Sequence, residues 1–169
     1  MIPGALVLND GTVYEGQVFG ASSDISRGEV VFNTALSGYQ EILSDPSYAG
    51  QIISFTYPHI GNYGVNPQDN ESQRIFARGL IVRDYDEHYS NYRAKQSLDA
   101  WLKASGISAI AGLDTRKLTR HIRKHGAVPG AFGTAPIKQL LAVVKREPGT
   151  DGIDLVSTVT AAKPYQGYR

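Results

Sequence analysis

The hydrophobic positions change their spacing along the chain. As far as residue 57 they fall in short runs of strand length. Beyond residue 90 they recur at helical intervals. Ala5, Leu6, Val7 and Leu8 precede Asn9-Asp10-Gly11, and an apolar, β-rich stretch follows at 12–20, so the first twenty residues predict a hairpin closed by a tight turn. In its second strand Val13, Glu15 and Gln17 alternate with Tyr14, Gly16 and Val18. One face is only half apolar, which places that strand near a sheet edge. Residues 21–28 read as a polar loop. Val30-Val31-Phe32 and the run 51–57 (QIISFTY) predict two further strands.

Between those runs the punctuation is dense. Ser37, with Gln40 three residues on, has the form of a capping box, and Tyr39, Ile42 and Leu43 supply an apolar helix face. Asp45-Pro46 ends that helix, Pro46 opens a turn through Ser47 and Tyr48, and Gly50 releases the chain into the next strand.

The second half alternates. A polar, turn-rich surface loop spans 65–73, a strand pattern resumes at 75–83, and 84–92 is irregular. Leu98, Trp101 and Leu102 share one face of a helix over 94–105 that Gly106 ends. A short buried strand is expected at 107–111. Asp114 or Thr115 then caps a helix through His125, with Leu118 and Ile122 inward and Gly126 at its end. A strand at 127–134 and a helix at 136–145, begun by Pro136, complete the pattern, which weakens after Asp151. A β-rich first half followed by strand and helix alternation predicts sheets covered by helices on one side, an α+β or mixed α/β arrangement.

Composition narrows the function classes. One domain of ordinary size accounts for 169 residues, and 41% hydrophobic with 20% charged residues is a globular balance. A formal charge of +1 gives no bulk attraction to nucleic acid or anionic membrane. With no cysteine, the chain has no disulfide, thiolate metal site or cysteine nucleophile. The start MIPGALVLNDG lacks a basic n-region and a sustained apolar core, and no run reaches the length of a membrane span, so a soluble, cytoplasmic protein is expected. Without a secretion signal, the sequon Asn70-Glu71-Ser72 carries no weight.

Few residues invite a chemical reading. Ser47, in a turn, is of a type that most often hydrogen-bonds its own backbone, and no G-x-S-x-G elbow occurs anywhere. His59 ends an apolar strand without an identifiable partner and reads as structural or solvent-exposed. The glycines match no phosphate-loop pattern, and no nucleotide site or other cofactor is expected. His121 and His125 have the spacing of a zinc pair. Arg116, Lys117, Arg120, Arg123 and Lys124 around them would repel a dication, so no metal is expected either. Those five cations are the sharpest charge feature of the sequence. Some of the stripe suits a helix C-terminal half, and an acidic protein surface fits it better than nucleic acid, since no base-stacking aromatic lies beside it.

Two long blocks, FNTALSGYQEILSDPSYAGQIISFTYPHIGNYG at 32–64 and GLDTRKLTRHIRKHG at 112–126, resemble the N-terminal domain of the small, glutamine-hydrolysing chain of carbamoyl phosphate synthetase. The resemblance covers nearly the whole chain. It implies a layered β/β/α domain of the swivelling type over residues 1–155, with 156–169 a linker toward a class I glutamine amidotransferase domain. It also implies that the serine of the DPSY turn, Ser47, helps bind glutamine at the boundary with that glutaminase domain. The family's parent enzyme is an ATP-dependent heterodimeric ligase that feeds pyrimidine and arginine synthesis. Its small chain hydrolyses glutamine at a Cys-His-Glu site, and the ammonia passes to the large subunit. This chain, lacking the cysteine, is expected to have no catalytic residue. Its role would be structural and subunit-docking, its partners the large synthetase subunit and the glutaminase domain. A free-standing interaction module of the same fold is the alternative.

Overall fold

A computed structural model describes residues 1–148 and 154–160. In chain order the elements are β1 (Ile2–Leu8), β2 (Val13–Gly20), β3 (Ser26–Asn33), α1 (Tyr39–Ser44), β4 (Gln51–Phe55), β5 (His59–Ile60), β6 (Gly79–Ile81), β7 (Asp84–Tyr85), α2 (Leu98–Ala104), β8 (Ser108–Ala111), α3 (Thr115–His125), β9 (Val128–Gly133), α4 (Ile137–Val144) and α5 (Val156–Val159). Seven strands close on themselves in the order β1-β2-β8-β6-β4-β3-β9, and β5 and β7 form a separate parallel pair.

The closed sheet has two halves. β3, β4, β6 and β8 run parallel, each joined to the next by a crossover, whereas β1, β2 and β9 pair antiparallel with their neighbours. The fold is therefore mixed α/β. Alternation along each strand decides what is enclosed. Leu6, Leu8, Val18, Val30, Ile52, Ile81, Ile110 and Phe132 point inward and form one buried cluster. Their neighbours Val31, Ile53, Leu80 and Ala109 point outward into a second cluster, with Tyr39, Leu43, Leu98, Trp101 and Leu102 of α1 and α2. Ala5, Val7 and Ala131 face a third, covered by Leu140 and Val144 of α4.

The helices are thus not gathered on one side. α1 and α2 cover the outside of the parallel half and α4 the outside of β1 and β9. α3 turns Leu118 and Ile122 into the interior cluster, against β3 and β4, and closes one end. Closure explains the departure: a barrel has apolar wall on more than one outer sector, and each sector needs its own cover. β2 corrects a second expectation, because it pairs with β1 on one side and β8 on the other and so lies at no edge. Its half-polar face, Val13, Glu15 and Gln17, is a stretch of outer wall that is exposed.

Other boundaries shift for local reasons. The strand expected over 75–83 shortens to β6 because the Phe76 and Ala77 amides both turn back to the Leu43 carbonyl, at 3.0 and 3.3 Å. α2 begins later than expected since Ser97 caps it, its side chain accepting from the Ala100 amide at 3.1 Å. Asp114 caps α3 by accepting from the Lys117 amide at 2.9 Å, and Gly126 follows its last residue at φ 83°.

Candidate functional site

The segment joining β3 to β4 is fixed by contacts its own sequence does not reveal. Ser37 is not the cap of α1. Gly38 occupies that position at φ 85°, with no side-chain cap. The hydroxyl of Tyr63 takes the cap's place, accepting from the Gly38 and Tyr39 amides at 2.6 and 3.2 Å. The Tyr39 hydroxyl donates to the Gly64 carbonyl at 2.6 Å, and the two rings stack with centroids 4.2 Å apart. Burial, reinforced by Tyr63, pushes the Tyr39 phenol far above its ordinary value. Burial also raises Tyr63, against the two amides it accepts from. Gln40, rather than closing a capping box, is buried and bonds to loop 66–70: its amide nitrogen donates to the Asn66 carbonyl and to Asn70 Oδ1, and its oxygen accepts from the Asn66 amide at 3.0 Å.

Ser47 stands in the turn after α1. The Asp45 carboxylate accepts from the Ser47 amide at 2.8 Å, the Tyr48 amide donates to the Asp45 carbonyl at 3.1 Å, and Asn33 Nδ2 donates to the Tyr48 hydroxyl at 2.9 Å. Ala49 is buried. The turn is held on both sides of Ser47, while Ser47 itself is exposed and its hydroxyl has no hydrogen-bond partner among the described residues. Such a hydroxyl can hold one polar end of a ligand. Among the described residues no base is hydrogen-bonded to that hydroxyl, as activation to a nucleophile requires.

The segment 71–74 runs beside this turn. The Glu71 amide donates to Ser44 Oγ, Ser72 Oγ donates to the Ser44 carbonyl at 2.6 Å, and Arg74 Nη2 donates to the Thr158 carbonyl at 2.6 Å. The chain around α5 is thereby tied to segment 71–74. Of the expected linker, residues 161–169 lie outside the described residues.

The histidines separate. His59 is exposed in β5, edge-on to Tyr57. His121 Nε2 lies 3.0 Å from Asp10 Oδ2 and 4.7 Å, ring to ring, from His125. Burial works to raise the Asp10 carboxyl, yet the Thr12 hydrogen bonds and His121 hold it below its usual range. Among the described residues no group of three or more histidines, aspartates and glutamates is placed to hold a metal ion. No helix there is long and apolar enough to cross a membrane.

The basic stripe of α3 divides. Lys117 leans over the Tyr14 ring, 5.6 Å from its centroid. Arg116, Arg120 and Arg123 line a groove of about 530 Å³ with Arg83 and Thr56, which follow the carboxyl ends of β6 and β4.

Taken together, the features are those of a closed α/β barrel that offers binding groups at its rims and gathers no catalytic constellation among the described residues. The profile of the carbamoyl-phosphate synthase small chain, CPSase domain, matches residues 6–132, and the chain belongs to that family. It is 50% identical over 166 residues to the carbamoyl phosphate synthase small chain of Xanthomonas campestris, covering 97% of this chain and 44% of that one. The small chains of Chlorobaculum tepidum and Pseudomonas aeruginosa are 51% and 50% identical, over 97% of this chain and 45% and 44% of theirs. The chain thus spans less than half the length of these curated relatives, matching their N-terminal part. A solved peptidase M28 precursor from Shewanella amazonensis aligns with a TM-score of 0.39 and 12% identity, over 78% of this chain and 35% of its own, too slight a likeness to bear on the fold.

Proposed function

We propose that this chain is the N-terminal structural and subunit-docking domain of a glutamine-hydrolysing carbamoyl phosphate synthetase. Residues 1–155 form the domain and 156–169 lead toward a class I amidotransferase domain. Within the cytoplasmic assembly the small chain supplies ammonia from glutamine to a large subunit, where ATP-dependent steps make carbamoyl phosphate for pyrimidine and arginine synthesis. The 169 residues alone hydrolyse no glutamine, because they contain no cysteine to attack its amide. The parallel sheet β3-β4-β6-β8 and the antiparallel strands β1, β2 and β9 favour assigning the barrel to the swivelling β/β/α type.

The observation that carries the site assignment is Ser47, an exposed, unpartnered hydroxyl on a turn fixed from both sides. A group held this way loses little freedom when it bonds a ligand, and here it contributes to holding glutamine. Glutaminase turnover by the purified 169 residues, abolished by Ser47→Ala, would overturn the reading. A small chain containing this domain and the amidotransferase half should turn over glutamine, with KM raised by the same substitution.

A further inference from the structure

Two helix positions make the arginine groove more than a solvated face. Cations suit the last turn of a helix, but Arg116 lies in the first turn of α3, just after its cap Asp114, and Arg120 at its middle. Arg116 and Arg120 are four apart, Arg120 and Arg123 three apart, spacings at which like charges face one another and destabilise a helix. None of the three forms an ion pair among the described residues, and Arg83 approaches only its exposed neighbour Asp84, at 3.8 Å. Four guanidinium groups from two separate parts of the chain therefore converge on one groove, three of them without an ion pair among the described residues, in a protein whose net charge is only +1.

Chemistry narrows the occupant. The groove cations are all arginine, whose planar fork pairs two-pronged with carboxylates, while Lys117 is directed to Tyr14. Among the described residues no aromatic side chain lines the groove to stack a base. At about 530 Å³, and with exposed arginines, it is too large and too wet to hold one small anion firmly; several carboxylates on one backbone would bind together. Thr56 also lines the groove, and its hydroxyl has no hydrogen-bond partner among the described residues. Two residues earlier, on the same face of β4, Ser54 is fully buried and its hydroxyl is also unpartnered.

We infer that this groove is the seat of an acidic, carboxylate-rich segment of the large synthetase chain, an inference that rests on the docking role proposed above. Ser47 precedes β4 and the groove follows it, so the two sites serve different partners. Bound carboxylates relieve the repulsion along α3 and bring hydrogen-bond acceptors to the Thr56 side of the groove.

The test measures binding of the purified chain to its cognate large chain by titration calorimetry at low and high salt, with thermal melting to verify folding. The Arg116→Glu, Arg120→Glu, Arg123→Glu variant should bind about tenfold to a hundredfold more weakly and lose most of the salt dependence. If that variant does not fold, the triple Arg→Gln variant replaces it with the same expectation. Equal binding by wild type and variant would overturn the groove and leave the docking role standing. No binding by the wild type would overturn both. In the Arg120→Lys variant a carbodiimide can join the new amine to a carboxylate within reach. A cross-linked glutamate or aspartate of the large chain supports the inference, and linkage only within the chain contradicts it. Competition for the groove by inorganic phosphate or single-stranded RNA as effective as that by a short polyglutamate peptide would also overturn it.

Discussion

The ring of Tyr39 stacks on that of Tyr63, and the Tyr63 hydroxyl accepts the Tyr39 amide, so one aromatic pair both packs and caps the helix leading to the Ser47 turn. Tyr63→Phe keeps the stack and removes the acceptor from two amides at once. The expected loss is about 1–2 kcal/mol, read as a lower midpoint in urea unfolding with unchanged slope. An unchanged midpoint would mean that the Gly38 and Tyr39 amides find water as readily.

Alkaline pH should weaken the fold through the same pair. The unfolded chain releases tyrosine protons near the ordinary value of 10.0, whereas burial keeps both phenols protonated above it in the folded state. Their contribution is complete below that pH and falls as pH rises from there through the folded values, by at most about 1.4 kcal/mol per pH unit for Tyr39 and by less for the more solvent-screened Tyr63. Tyr39→Phe should lower stability near neutrality by about 1 kcal/mol, from the lost bond to Gly64, and flatten the alkaline limb. Urea midpoints measured across that limb distinguish the two slopes.

Ser47 and Asp45 should separate binding from positioning. Ser47→Ala removes an exposed, unpartnered hydroxyl, so the melting temperature should hold to within about 0.5 kcal/mol of stability. In a small chain able to hydrolyse glutamine, it should raise KM by about tenfold with kcat little changed. Asp45→Ala removes the acceptor that fixes the turn. It should cost about 1 kcal/mol of stability as well as raising KM, since Ser47 is then held less firmly.

Gly79 tests closure of the barrel. A β-carbon there would lie 2.6 Å from Cε1 of Phe132, a ring that is fully buried. Gly79→Ala should therefore cost about 1–3 kcal/mol through overpacking, and Gly79→Ala with Phe132→Leu should recover part of the loss. Calorimetric melting of the two variants checks both statements.

What the sequence made legible was whatever neighbouring residues determine. The Asn9-Asp10-Gly11 hairpin, the Asp114 cap and the Gly126 stop all depend on contacts a few residues apart, and each is present. Leu118 and Ile122 declare an inward face by spacing alone. Ser37 misled because a capping signal competes with any acceptor the fold brings near, and Tyr63, 24 residues beyond Tyr39, arrived first. Loop 65–73 looked merely polar, since nothing in its composition announces that Gln40 will enter it. The rigidity around Ser47 was equally hidden: Asp45 is local, but Asn33 meets Tyr48 across a crossover. Arg83 joins the arginines of α3 only once β6 and α3 are in place, so the stripe was visible and the groove was not.

β9 pairs with β1 on one side and with β3 on the other, joining the earliest strands through a segment made roughly a hundred residues later. On a ribosome, every strand before it must wait with two open edges, at β1 and β3, able to pair with other chains. A nascent chain halted before Val128 should be held by chaperones or degraded, and one released past Gly133 should resist protease. Synthesis of this domain thus has a late commitment point, set by the last strand to enter the barrel.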